Sequence, residues 1–301
     1  MQGLNNLGAT CSINSLLQVL YRNDKIKEII LNSETPEGTI TYELKDLFKV
    51  LESSNNSVNP GRFIHNFYEI FKNNFRKFEQ NDICELYLFI IQKIHDETAI
   101  TLSYNPNYSN IFEEHTYKIA KHNDFKKSNI LDILQGSYLH SVECLSCGDI
   151  NRTFEPFIYI DLDVNEELSI HDLLLHRFTN DVRCKDSWVC DRCKINSAYS
   201  KKITVWKLPD VLFISLNRFQ QNNIPITTTP KLNLQKEYSL NSIGLHYGSL
   251  ENGHYVAMCL NKNNSKFYMY DDNVVNEISS EIIEKLLKST NSYLISYSSL
   301  L

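Results

Sequence analysis

The 301-residue chain has no apolar run long enough to cross a membrane, no internal repeat and no long low-complexity linker. Its first residues already carry a patterned segment, so no signal peptide is expected. It also lacks a basic excess, since 30 Lys and Arg against 36 Asp and Glu give a net charge of −6. That balance disfavours nonspecific nucleic-acid binding, which needs a basic face, and suits a partner that presents arginines. Neither a membrane nor a nucleic acid is therefore an expected partner. What is present is 42% hydrophobic residues, enough for a large core of one to two domain-equivalents. Five of the eight cysteines fall into nucleophile and metal-ligand patterns, which argues against a disulfide framework. Both uses need reduced thiols, so the cytoplasm or the nucleus is the expected compartment.

Cys11 stands where a glycine-bearing loop, Gly3 to Ala9, runs into an apolar-periodic segment. Ile13, Leu16, Leu17, Leu20 and Tyr21 recur at helical spacing, with Thr10 as the expected cap, so Cys11 falls in the first turn of a helix. Unpaired N–H groups and the positive end of the helix dipole favour a thiolate there and are expected to lower the cysteine pKa. Gly3 and Gly8 would let the loop take positive φ and let a substrate chain pass close. The rival reading is a buried structural cysteine.

A nucleophilic thiol needs a base. The segments Gly253 to Leu260 and Phe267 to Asp272 read as a β-hairpin around Asn261 to Ser265. Centred near Lys262 and Asn263, that hairpin puts His254 and Asp271 opposite or diagonal on one face. An orienting carboxylate there would hold the imidazole in one tautomer and leave its other nitrogen for the thiol. Strand alternation points Asp272 the other way, so it ranks second as the acid. Alone, His254 reads equally as a core histidine and the two aspartates as a solvated turn.

A second constellation is metal-like. Cys144-Leu145-Ser146-Cys147 and Cys190-Asp191-Arg192-Cys193 are two C-x-x-C knuckles whose four thiolates would close a tetrahedral zinc shell, a structural site with no open position. A redox C-x-x-C or two accidental buried knuckles are the alternatives, and no thioredoxin-like strand and helix flank either pair. Cys84 and Cys259 fall on patterned core positions, and Cys184 is a bystander.

The first third of the chain is helical in pattern, over Tyr42–Leu51, from Pro60-Gly61 to about Lys72, and over Asp82–Ile94. From about Tyr138 strands dominate. Val142–Cys147 and Arg152–Leu162 read as a hairpin around Gly148-Asp149, followed by strands Lys201–Lys207, Val211–Phe219, His254–Leu260 and Lys266–Tyr270.

These residues resemble the ubiquitin-specific proteases. The cysteine box of that family is met from Gly3 to Gln18 and its histidine box from Gly253 to Asp271. Gln80-Asn81-Asp82-Ile83-Cys84-Glu85-Leu86 and Leu208 to Phe219 are similar to two further family blocks, in family order over nearly the whole chain. Ser12 departs from the aromatic residue usual after the cysteine, Asn81 from Gln or His, Asn217 from a frequent Lys, and Asn252 from a second glycine.

The resemblance implies an α+β, papain-like cysteine protease fold in a single domain. Residues 1–115 would form a helical thumb, 138–205 zinc-bearing β fingers, and 116–137 with 206–301 a β-rich palm. It implies hydrolysis of the bond after the C-terminal glycine of ubiquitin, with ubiquitin and ubiquitinated proteins as partners of a monomer. Cys11 would be the nucleophile, His254 the base, Asp271 its orienting acid and Asn6 a side-chain donor to the oxyanion. Gln80, Asp82, Glu85 and Tyr255 would bind substrate, the two carboxylates meeting a tail arginine. Cys144, Cys147, Cys190 and Cys193 would hold Zn2+ at the finger tip, and residues 220–231 and 247–253 would border the tail channel. A catalytically weak ubiquitin-binding scaffold, a protease for a related modifier and a zinc-ribbon nucleic-acid binder are the competing readings. The last is disfavoured by charge and by the lack of a basic, aromatic-studded strand.

Overall fold

The computed structural model describes residues 1–179, 182–218, 223–249 and 253–300. Phe219 and Asn252, with parts of both expected channel loops, lie outside the described residues.

Five helices open the chain: α1 (Cys11–Tyr21), α2 (Asp24–Asn32), α3 (Ile40–Ser53), α4 (Gly61–Ile70) and α5 (Ile83–Thr98). A short pair, β1 (Ile100–Thr101) with β2 (Lys126–Lys127), brackets α6 (Ile111–His122), and α7 (Asn129–Leu134) follows. Next come β3 (Gly136–Cys144), β4 (Ile150–Phe157), β5 (Ile160–Asp163), α8 (Ile170–Thr179), β6 (Val182–Val189), β7 (Asn196–Lys207) and β8 (Val211–Asn217). The last third holds β9 (Ile226–Thr227), β10 (Lys231–Asn233), β11 (Glu237–Gly248), β12 (Gly253–Asn261), β13 (Lys266–Asp271) and β14 (Val274–Glu277). It closes with α9 (Ser280–Leu287), β15 (Lys288–Ser289) and β16 (Ser292–Ser299). No helix among the described residues is long and apolar enough to cross a membrane.

The larger sheet runs β14-β13-β12-β11-β16-β8-β5, with β10 beside β11. One face, through Phe213, Tyr255, Ala257, Cys259 and Leu294, shares a core with helices α1 to α5 and α7. The other, through Leu212, Ile214, Ile243, Met258 and Tyr297, packs on α8 and the apolar side of α9. A second, four-stranded sheet, β4-β3-β7-β6, is not paired with the larger one, and its base, through Tyr138, Phe157 and Val205, joins this second core.

The hairpin expected from Val142–Cys147 and Arg152–Leu162 forms as β3 with β4, but its second arm ends at Phe157. Ile160, Leu162 and Val164 alternate apolar side chains that bury with Leu216, so β5 crosses to the larger sheet and runs parallel to β8. Residues 160–179 therefore pack with the larger sheet, although they fall inside the segment expected as fingers.

Every residue of α1 is buried, including Ser12, Asn14, Ser15 and Gln18. A polar face survives burial only when hydrogen-bonded, and the N-terminal strand supplies partners. Gln18 Nε2 donates to the Gln2 carbonyl at 2.9 Å, and Asn14 Nδ2 donates to the Asn5 carbonyl at 3.3 Å. α1 is thereby pinned beneath β12 with Cys11 at its exit.

Candidate active site

Thr10 does not cap α1 as its position suggests. Its φ of −102° and ψ of 11° are not cap geometry, and its hydroxyl instead accepts from Leu7 N–H at 3.0 Å and donates to Asn6 Oδ1 at 3.2 Å. No side-chain cap takes the first-turn N–H groups of α1. Those of Cys11 and Ser12 bear on the sulfur, together with the N–H of Tyr255 from β12.

The thiol nonetheless sits above its ordinary range, contrary to the lowering expected from the helix dipole. Burial is the largest cause and outweighs the Tyr255 N–H; the Asp272 carboxylate raises it further, against the N–H groups of Ser12 and Cys11. Resting Cys11 is thus a thiol that needs a base to ionise.

The expected base and acid meet in the β12–β13 hairpin. Its register pairs Ala257 with Tyr270, so Asp271 falls opposite Val256 and diagonal to His254, on the same face. His254 Nε2 and Asp271 Oδ1 are 2.7 Å apart. With an ionised Asp271 accepting, Nε2 carries the proton and Nδ1 is left as the basic nitrogen. Among the described residues no hydrogen bond joins Cys11 to His254. Catalytic contacts of this kind commonly tighten only with substrate bound.

Asp272 breaks the expected alternation. β13 ends at Asp271, and Asp272 has φ +49°, a left-handed conformation that swings its carboxylate back among His254 and Asp271. There it accepts from Asn6 Nδ2 through Oδ2 and from Asn14 Nδ2 through Oδ1, each at 2.8 Å. Asn6 Oδ1 accepts in turn from Gly8 N–H at 2.9 Å and from the Thr10 hydroxyl, which fixes the carboxamide's orientation. One Nδ2 hydrogen of Asn6 remains beyond the Asp272 bond. Asn14 is the site residue that sequence reasoning did not assign; its place one turn after Cys11, on the same helical face, was the available signal.

Gly3 serves the chain itself. Its neighbour Leu4 donates its N–H to the Asp272 carbonyl at 2.8 Å, and a Cβ on Gly3 would fall 2.4 Å from that oxygen. Gly3→Ala is expected to cost about 2 kcal/mol, because backbone and not a flexible side chain must yield. A thermal melt checks it, and turnover should fall alongside as the Asp272 turn shifts. Gly8, at φ +97°, does use the left-handed region.

Gln80 spans the gap before His254. Its Nε2 donates to the Gly253 carbonyl in a short bond, and its Oε1 accepts from Gly253 N–H at 3.0 Å. Asp82 caps α5, accepting from Cys84 N–H at 2.8 Å and Glu85 N–H at 3.0 Å, and its carboxylate also faces Tyr293. Glu85 is exposed beside it. Neither carboxylate has a basic partner among the described residues. The Tyr255 ring is buried, 4.4 Å from that of His246.

The two knuckles are the tips of hairpins β3–β4 and β6–β7. Each closes by an i+4 backbone bond, Gly148 N–H to the Cys144 carbonyl at 2.8 Å and Lys194 N–H to the Cys190 carbonyl at 2.9 Å. Gly148 and Lys194 both take positive φ there, +69° and +58°. The Sγ pairs Cys144–Cys193 and Cys147–Cys190 are 3.9 and 3.7 Å apart, and all four sulfurs lie within 4.8 Å of one another. A tetrahedron of thiolates at ~2.3 Å from a metal has edges of ~3.8 Å, so the donor set fits a four-coordinate ion.

A family model described as ubiquitin carboxyl-terminal hydrolase matches residues 2–297. The chain belongs to the ubiquitin carboxyl-terminal hydrolase family. Among relatives, this hydrolase-family chain is 27% identical to probable ubiquitin carboxyl-terminal hydrolase 4 of Schizosaccharomyces pombe, over 92% of its own length and 55% of the relative's. It is 24% identical to ubiquitin carboxyl-terminal hydrolase 2 of Homo sapiens, over 99% of its own length and 55% of the relative's. The chain thus spans about half the length of these two relatives. Its fold is similar to that in the SAGA Ubp8/Sgf11/Sus1/Sgf73 DUB module bound to ubiquitin aldehyde, with a TM-score of 0.79 at 22% identity, over 100% of this chain and 70% of that one.

Proposed function

We propose that this chain is the catalytic unit of a thiol-dependent deubiquitinase, cleaving the bond after the C-terminal glycine of ubiquitin on proteins or in chains. The observation that carries this reading is the 2.7 Å His254–Asp271 pair on the strand that packs over Cys11, in a chain matched nearly end to end by the hydrolase family.

His254 Nδ1 takes the proton as Cys11 Sγ attacks the carbonyl carbon, and the carbonyl oxygen becomes an oxyanion. On collapse the amine leaves with that proton, and the glycyl carboxyl group stays on Cys11 as a thioester. A water then attacks, giving its proton to His254, and the thiolate leaves to be reprotonated. Asp271 holds the imidazole in its tautomer and stabilises the imidazolium.

The oxyanion would rest against the free first-turn N–H groups of α1 and the remaining Nδ2 hydrogen of Asn6. Asp272, which holds that carboxamide, serves the oxyanion hole more directly than it serves His254. Asn6→Ala is expected to lower kcat by ~10²-fold with KM little changed. Steady-state turnover of a ubiquitin C-terminal amide measures both.

Asp82 and Glu85 would receive an arginine of the ubiquitin tail, the exposed carboxylate of Glu85 meeting it beside the half-buried Asp82. Cys144, Cys147, Cys190 and Cys193 would hold Zn2+, which supplies a structural cross-link and no chemistry at Cys11. The reduced thiols this demands suit the cytoplasm or the nucleus.

A ubiquitin carrying a C-terminal electrophile tests the proposal. Wild type should form a covalent adduct that Cys11→Ala cannot form, while an unmodified wild type would overturn the reading. The same reagent on another ubiquitin-like tail separates a protease for a related modifier.

A further inference from the structure

We infer that Gln80 is a positioning residue for His254, clamping the start of β12 to the N-terminus of α5. The inference rests on the catalytic reading of Cys11 and His254 and departs from the expectation that Gln80 contacts substrate.

Both ends of the Gln80 carboxamide are spent on one peptide unit's flanks. Nε2 donates to the Gly253 carbonyl and Oε1 accepts from its N–H at 3.0 Å, which fixes the carboxamide's orientation on Gly253. Gly253 directly precedes His254, and on its other side β12 has only begun. The β11–β12 ladder ends with Gly248 opposite Gly253, and the β12–β13 ladder begins at Ala257. His254 therefore sits on a strand end that one neighbour alone would leave free to fray. The two amide bonds act as a substitute strand partner, supplying one donor and one acceptor.

Gly253 is also where a side chain cannot go. A Cβ there would lie 1.9 Å from His246 Nε2 and 2.7 Å from the Ser249 carbonyl, so the backbone is wedged from one side and clamped from the other. Gln80 is itself fixed two residues before Asp82, whose carboxylate caps α5. A ligand drawn to Asp82 would thus act on the same short segment that holds the catalytic imidazole.

Selective 15N-histidine labelling and steady-state kinetics test this together, on wild type, Gln80→Ala and Gln80→Glu. The Nε2–H of His254, hydrogen-bonded to Asp271, should give a slowly exchanging downfield proton in wild type. Gln80→Ala should broaden or abolish that signal and lower kcat ~10-fold, with KM within twofold. Gln80→Glu keeps the acceptor for Gly253 N–H and loses the donor, so it should show the same changes to a smaller extent. It carries the test if the alanine variant fails to fold.

An unchanged imidazole signal with intact kcat and a raised KM would overturn the clamp and make Gln80 a substrate contact. If wild type turns over no ubiquitin substrate, the functional proposal fails, while the imidazole signal still decides the clamp.

Discussion

His254→Ala should lower kcat by ~10⁴-fold, and the residual rate should climb with pH well beyond neutrality. Burial, reinforced by the Asp272 carboxylate, holds the Cys11 thiol above its ordinary value of 9.0. A group with a raised thiol pKa is neutral at pH 7, so attack needs a local base. Without the imidazole, only the small thiolate fraction reacts, and that fraction grows about tenfold per pH unit until the raised pKa is passed. Wild type, whose imidazole removes the proton within the complex, should lack that long alkaline rise. Initial rates from pH 6 to 10 on a ubiquitin C-terminal amide check both. A variant whose rate is flat above pH 7 would place the thiolate's stabilisation in the α1 N-terminus instead.

Chelation of the proposed knuckle metal should unfold the four-stranded sheet and leave the helices and the larger sheet standing. That sheet has little core of its own. Val182, Val189, Ile150 and Ile195, in its strands and turns, are all exposed apolar residues. A sheet with so little buried surface at its far end depends on a cross-link between hairpins. Four thiolates on one ion supply it, on the order of 10 kcal/mol for structural zinc at neutral pH. A strong chelator, or Cys190→Ser, should split the thermal melt into two transitions. Hydrogen exchange should rise in β3, β4, β6 and β7 while α1 and β16 stay protected. Ubiquitin binding should weaken far more than the intrinsic reactivity of Cys11. A single unchanged transition would remove the metal from the account of stability.

The placement of Cys11, His254 and Asp271 was legible because each lies on regular structure. The α1 periodicity fixed Cys11 at a helix start, and counting residues from the hairpin turn put His254 and Asp271 on one face, which the observed register makes diagonal. Asp272 was misplaced because alternation assumes an extended backbone, and its φ of +49° leaves that region. Thr10 failed as a cap because Leu7 and Asn6, three and four residues earlier in the same loop, claim its hydroxyl. β16 escaped notice as well. Its serines look solvent-facing in sequence, yet Ser296 bonds Ser242 at 2.6 Å and Ser298 bonds Asn23 at 3.0 Å inside the molecule. The knuckles were readable from spacing, whereas the loss of residues 160–179 to the larger sheet depended on which core their apolar side chains found.

The bonds from Asn6 and Asn14 to Asp272 join residues 266 and 258 positions apart. Cys11 is made well before the residues that surround it, so the site cannot assemble until both stretches of chain exist. On the proposed function, any truncation before residue 271 should yield a protein with a cysteine and no protease.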